Sequence, residues 1–191
     1  MNKLPSHVWL ASRSPRRREL LTQLGIACEI IDVNIDESPL PNEIPEHYVC
    51  RMAQAKARAA FIPAGHDWPL IAADTCVVVD DTILGKPGNA SKARDMLQRL
   101  SGCQHRVLTA VTIYCRDRYQ TALCTSLVTL RPLSPDDIHT YIASGEPLDK
   151  AGSYAIQGLG ARFVRHLEGS YSGVMGLPLY ETAELLSACH D

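Results

Sequence analysis

One stretch constrains the rest of the chain. It runs Ala-Ala-Asp-Thr-Cys-Val-Val-Val-Asp-Asp-Thr-Ile-Leu-Gly-Lys-Pro, from Ala72 to Pro87. The apolar run Pro69 to Ala73 leads into it, with the length and flanks of a buried strand. That run ends in Asp74 and Thr75, where the apolar pattern calls for another aliphatic residue. The β-branched Val77-Val78-Val79 follows, then Asp80-Asp81-Thr82 as a turn, then Ile83-Leu84 and Gly85-Lys86-Pro87, an order that predicts a hairpin. A carboxylate at the end of a buried strand, with a lysine across a hairpin, can hold a metal ion and a phosphate close together.

The totals exclude several classes. A chain of 191 residues suffices for one domain of generous size or two small lobes sharing a core. A formal charge of −2 gives no bulk electrostatic grip on DNA or RNA, so no stable nucleic-acid partner is expected. No segment approaches the roughly 18 unbroken apolar residues that a membrane span needs. Met1 to His7 lacks the apolar core and cleavage site of a secretion signal. The seven cysteines are odd in number and scattered, with no Cys-x-x-Cys pair. They predict reduced thiols in a cytoplasmic protein, not a disulfide framework or a zinc site.

Val8 to Ala11 predicts a short strand. Ser12 to Gly25 then predicts a helix with Ser14 at the N-cap, Pro15 at the first helical position and Gly25 past the end. Arg16, Arg17 and Arg18 put three positive charges at the positive end of the helix dipole, where acidic residues are preferred. One arginine there is an ordinary solvated charge. Three, beside two serines and free backbone N–H groups, favour an anion site, because helix N-termini bind phosphate and arginine adds bidentate contacts.

Cys28 to Val33 predicts a second strand, and the loop after it places Asp36 and Glu37 beyond a strand end. Adjacent acidic residues in a loop are ordinarily just solvated; they gain interest only where the fold turns them toward Asp74. Glu46 to Phe61 predicts a helix bearing Lys56 and Arg58, for which a surface charge is the default. Asn89 to Leu100 predicts another helix. Gln104 to Tyr114 and Tyr119 to Leu130 predict a long antiparallel pair. Cys115 and Cys124 there read as buried, inert thiols. Ser134 starts a helix that ends near Gly145. Glu146 to Gly160 is a loop with glycines at 152, 158 and 160 among Lys150, Tyr154 and Gln157. A loop this long inside a compact chain is more often functional than idle. Arg162 to Leu167 predicts a strand, Gly169 to Gly176 a turn-rich passage, and Pro178 the start of a last helix.

These parts lack the Gly-x-x-x-x-Gly-Lys-Ser/Thr, Gly-x-Gly-x-x-Gly and Gly-x-Ser-x-Gly motifs. They suit metal-assisted attack of water on a phosphate chain: a carboxylate holds Mg²⁺ or orients the water, and Lys and Arg offset charge on the leaving phosphates.

Five segments, in order over nearly the whole chain, resemble the signature segments of the Maf family of nucleoside triphosphate pyrophosphatases. They are Leu10 to Leu21, Ala73 to Val78, Gly85-Lys86-Pro87, Asp149 to Gly158 and Gly169 to Leu179. The resemblance implies an α/β fold, elongated and ITPase-like, over a single domain of residues 1–191: a twisted mixed β-sheet flanked by helices, with a cleft between two lobes. It implies cleavage between the α and β phosphates with a divalent metal cation, Mg²⁺ or Mn²⁺, and a homodimer. Thr75 and Ile156-Gln157-Gly158 resemble the dTTP/UTP pyrophosphatase branch. By this similarity Asp74 is the general base, with Lys86 and Lys56 catalytic or phosphate-binding. Arg16, Thr75 and Gln157 set specificity, Ser12 and Arg17 join substrate binding, and Glu37 with Asp74 associates with the metal. Arg13 stands where many relatives have a small residue, which bears on phosphate affinity, and Gly173 where many have Asn; neither is expected to abolish activity. The rival expectations are a 7-methyl-GTP or other nucleotide pyrophosphatase, and a nucleotide-binding regulator of cell division or septum formation.

Overall fold

The computed structural model describes residues 4–62 and 67–189, so Met1 to Lys3 of the segment weighed as a secretion signal lie outside it. The elements run β1 (His7–Leu10), α1 (Pro15–Gln23), β2 (Ala27–Ile30), α2 (Pro45–Ala59), β3 (Leu70–Val79), β4 (Thr82–Leu84), α3 (Ala90–Leu100), β5 (Gln104–Cys115) and β6 (Arg118–Leu130). Then come α4 (Pro135–Ala143), 3-10 turns at Glu146–Asp149, Ala151–Ser153 and Leu159–Phe163, β7 (Val164–Glu168), α5 (Tyr171–Met175) and α6 (Leu179–Ser187). This is a mixed α/β structure.

Local chemistry sets most of these boundaries. Asp80 and Asp81 both take positive φ, the two-residue turn that matches the twist of a hairpin, and join β3 to β4. Asn89 caps α3 by accepting from Lys92 N at 2.9 Å. Ser134 and Asp137 close a reciprocal capping box on α4. The second strand is shorter than predicted, because β2 pairs with only the four residues of β1. The last predicted strand starts late, since Leu159–Phe163 winds into a 3-10 turn first. The turn-rich passage holds a one-turn helix, α5, whose N-cap Ser170 accepts from Gly173 N at 3.0 Å.

Seven strands form one sheet in the order β2-β1-β3-β5-β6-β7, with β4 on β3. The pairs β2–β1 and β1–β3 are parallel, and the others antiparallel. The two edges of β3 differ. On one, β5 pairs continuously from Leu70 to Val78. On the other, β1 pairs with Leu70 and Ile71, and β4 takes over only at Val77. Between them, residues 72–76 have no ladder partner on that side among the described residues, and Asp74 and Thr75 stand in that gap.

Helices cover both faces. Tyr48, Val49, Met52 and Ala53 of α2 pack on Cys76, Val78, Leu108 and Ala110. On the opposite face Leu20 and Leu21 of α1 and Leu186 of α6 pack on Ile71, Ala73, Val111 and Ile113. Farther along that face, Leu97 and Leu100 of α3 and Ile138 and Tyr141 of α4 join Val77, Val107 and Val128. No helix of the described residues is long and apolar enough to cross a membrane.

One cysteine expectation is overturned. Cys115 and Cys189 form a disulfide across a sequence separation of 74, joining the end of β5 to the residue two past α6. The packing of α6 along β5 brings the two together, and no sequence spacing could have signalled it. Cys28, Cys50, Cys76, Cys103 and Cys124 are free. Cys124 fits the buried, inert reading: burial first, with Glu181 nearby, pushes its pKa up to about 11.

Gly152 tests the packing of the late loop on β3. It has φ +66°, and a Cβ there would lie 2.8 Å from Val77. Gly152→Ala is expected to lower stability by about 2–4 kcal/mol, from left-handed backbone plus overpacking. A urea unfolding midpoint that falls with unchanged slope measures it.

Candidate active site

Alternation along β3 sends neighbours Asp74 and Thr75 to opposite faces of the sheet. Because the edge is open there, groups from both faces reach one cleft. Asp74 is buried, at 8% exposure, on the α2 side. Lys56 of α2 donates to its Oδ1 at 2.6 Å, and the same ammonium lies 2.6 Å from Glu37 Oε1. Helical spacing puts the lysine there: Tyr48, Met52 and Lys56 recur every four residues along one face.

Glu37 is delivered by the segment before α2, which is fastened at several points. Tyr48 Oη donates to the Glu37 carbonyl at 3.0 Å. Arg51 forks onto Glu43, with both bonds at 2.6 Å, and donates to the Ser38 carbonyl at 3.1 Å. Glu43 also accepts from Leu40 N at 2.9 Å. Burial acts to raise the Glu37 pKa, but the bond from Lys56 and the fields of Lys56, Lys86 and Arg17 outweigh it, leaving it below the usual value. Asp36 instead folds onto Ser38 N at 2.9 Å and does not line the cleft.

On the other face, Arg17 joins three elements. Its Nε donates to the Gly176 carbonyl at 2.7 Å, and its terminal nitrogens reach Ser12 Oγ at 3.0 Å and Thr75 Oγ1 at 3.4 Å. Thr75 Oγ1 lies 3.0 Å from Thr109 Oγ1, which donates to the Gly173 carbonyl at 2.7 Å. Burial, the largest cause, lowers the Arg17 pKa from its usual value, against the field of Asp74. Ser12 sits behind Arg17, where it also accepts from Ser14 N at 3.2 Å. Ser14 stands at the N-cap position without a side-chain capping bond.

The late loop closes the third side. Gly152 N donates to the Gly85 carbonyl at 3.2 Å, tying the loop to the hairpin end that carries Lys86. Tyr154 Oη lies 2.8 Å from His105 Nε2, and burial holds that imidazole's pKa down at about 4, so it is neutral near pH 7. Lys150 pairs with Asp149 beside it.

Arg16, Arg17, Glu37, Lys56, Asp74, Thr75, Lys86 and Gln157 thus line a single cleft, while Ser12 lies behind its wall. Tyr48, Asp149, Lys150 and Tyr154 also line it and were not among the sequence candidates for the site. Tyr48 had one usable signal, its eight-residue spacing from Lys56 on α2; Lys150 had its place in the glycine-rich loop. Arg18 is exposed and off the cleft, so the arginine triplet contributes two of its members. Arg13 is exposed, pairs with Asp32 and does not line the cleft.

Five cations and three carboxylates line the cleft of a chain whose net charge is −2. Arg16, Lys86 and Gln157 make no side-chain hydrogen bond or ion pair among the described residues. A positively biased cleft with uncommitted donors suits a polyanion. Among the described residues no group of three or more His, Cys, Asp or Glu is placed to hold a metal ion. Asp74 and Glu37, brought together on one ammonium, are two carboxylates. Mg²⁺ is ordinarily bound by one or two carboxylates plus substrate phosphates, so this donor set fits such an ion.

An open-edged mixed sheet with a carboxylate–lysine–carboxylate group in a cationic cleft defines an α/β protein with an anion-suited site, and the chain belongs to the Maf family: residues 7–189 match the family described as Maf-like protein. A dTTP/UTP pyrophosphatase of Pseudoalteromonas translucida (strain TAC 125) is 52% identical over 179 residues, covering 94% of this chain and 95% of that one. The protein of the same name from Neisseria meningitidis serogroup A is 49% identical, covering 94% and 92%. That from Escherichia coli O157:H7 is 49% identical, covering 94% and 91%. Among solved structures, the Ham1 protein of Staphylococcus aureus aligns over 95% of this chain and 96% of its own at 12% identity, with a TM-score of 0.44.

The anchoring of the Glu37 segment carries a pH prediction. The bond from Arg51, offset in part by burial, lowers the Glu43 pKa from 4.5 to about 2. A depressed carboxyl adds stability that is complete above its unfolded value and is lost as pH falls through the folded one. Glu43 therefore holds its segment fully above about pH 4.5 and releases it toward pH 2. An NMR titration of its carboxyl carbon should show that low midpoint, and Arg51→Met should return it to the ordinary range.

Proposed function

We propose that this chain hydrolyses dTTP and UTP between the α and β phosphates, releasing the nucleoside monophosphate and pyrophosphate. The observation that carries the reading is Asp74, held by Lys56 beside Glu37 in a cleft with spare cations. Relatives about half identical over nearly the whole chain, named dTTP/UTP pyrophosphatase, support the substrate.

The chain's own groups divide the work. Asp74 gives Oδ1 to Lys56, and Oδ2 accepts the proton of the attacking water. Lys56 fixes the direction of the Asp74 carboxylate. Lys86, Arg16 and Arg17 draw the phosphate oxygens in and offset charge that grows on the leaving pyrophosphate. Gln157 offers a pyrimidine edge both a donor and an acceptor, and a base that leaves them unpaired is rejected. Thr75 holds the wall against Arg17, and Ser12 backs the same guanidinium. Asp74 and Glu37 would hold Mg²⁺ or Mn²⁺, which when bound polarises phosphate oxygens and positions water. The single sheet running through the described residues supports one working unit over 1–191. A cytoplasmic setting rests on the five free cysteines, and the Cys115–Cys189 disulfide stands against it. A homodimer rests on the family resemblance alone.

The test is a panel of dTTP, UTP, GTP and 7-methyl-GTP with Mg²⁺ or Mn²⁺, reading monophosphate and pyrophosphate. The pyrimidine nucleotides should turn over fastest, and a chelator should abolish turnover. Asp74→Asn should lower kcat by about 10²–10⁴ with dTTP still bound, the scale of a lost general base. Preference for 7-methyl-GTP would defeat the substrate assignment, and tight dTTP binding without product would leave the regulator reading in its place.

A further inference from the structure

The loop that carries Gln157 is suspended from a group outside the cleft. Glu146, just past α4, sends its carboxylate under residues 158–160. Its Oε1 accepts from Tyr141 Oη at 2.7 Å and from Gly160 N at 3.1 Å, and its Oε2 accepts from Leu159 N at 2.9 Å. The same Tyr141 hydroxyl accepts from Ala155 N at 3.1 Å. One carboxylate and one phenol thus hold the chain on both sides of Gln157. Gln157 itself is exposed and has no bond of its own among the described residues, so its place in the cleft is set by these backbone anchors.

The glycines around it record the same requirement independently. Gly158 has φ −109° and ψ −151°, extended backbone open to other residues. Yet a Cβ on it would lie 2.3 Å from Glu146 Oε2. A Cβ on Gly160 would lie 2.7 Å from Tyr141 Oη. Both positions are small because the anchor fills the space. Burial acts against the charge on Glu146, but its hydrogen bonds outweigh that and keep its pKa below the usual value.

We propose that Glu146 is a positioning residue for base selection: its carboxylate, with Tyr141, presents Gln157 to the nucleobase without touching substrate. This rests on the reading that Gln157 selects the base. Glu146→Gln puts an NH₂ donor against a backbone N–H donor, so one anchor is lost while size is kept. The loop then visits other positions, and the cost falls on the preferred base.

Steady-state kinetics with dTTP and GTP decide it, using Gln157→Ala, Glu146→Gln and the double variant. Gln157→Ala should lower the dTTP-to-GTP ratio of kcat/KM by about tenfold or more, the scale of a lost base contact. Glu146→Gln should lower it in the same direction by about fivefold or more, mainly through a raised KM for dTTP. The double variant should fall no further than the larger single effect, the sign of two residues acting through one contact. A lowered ratio in Gln157→Ala with an unchanged ratio in Glu146→Gln overturns the role of Glu146 alone. Multiplying effects in the double variant also overturn it, since Glu146 would then act by another route. An unchanged ratio in Gln157→Ala overturns the base-reading role of Gln157 and the inference with it. If Glu146→Gln does not fold, Gly158→Ala, whose methyl displaces the same carboxylate, takes its place with the same expected outcomes.

Discussion

A bare length of strand edge makes the cleft possible. β3 is paired without a break by β5, yet its other side changes partner from β1 to β4 and leaves residues 72–76 uncovered. A central strand normally hides its polar backbone and exposes side chains only on the two faces. Here the break opens the strand from the side, so Asp74 and Thr75 both line one cleft although they point in opposite directions. The continuous β5 pairing holds the strand from behind the opening.

Each face then supplies its own machinery. α2 brings Lys56, Tyr48 and the fastened Glu37 segment to Asp74. α1, α5 and their linking hydrogen bonds bring Arg17 to Thr75. Lys56 does on one side what Arg17 does on the other: a long cation spans elements that no backbone ladder joins. Burying such charges is costly unless each finds partners, and the short bonds to Asp74, Glu37 and the Gly176 carbonyl meet that cost.

Local features were open to sequence reading. Asn89, Ser134 and Pro15 mark helix starts by their chemistry, the Asp80–Asp81 turn announces the hairpin, and two of the misplaced arginines of α1 line the cleft. What depended on distant partners was not. Arg17 meets a carbonyl 159 residues away, and Cys115 meets Cys189 across 74. Glu146 read as the start of a loop, because nothing nearby in sequence shows that three donors converge on it. Asp36 and Glu37 looked alike, and only the fold distinguishes the one that turns in from the one that closes on its own loop. The family resemblance named residues that spacing alone could not, and the fold brings most of them to one cleft.

The bond between Gly152 and Gly85 gives the two sides of the opening a shared fate. Lys86 rides on the hairpin and Gln157 on the late loop, and one amide-to-carbonyl link joins their supports. A shift of the hairpin end is therefore passed through that link to the late loop, and the two walls of the cleft are not mechanically separate.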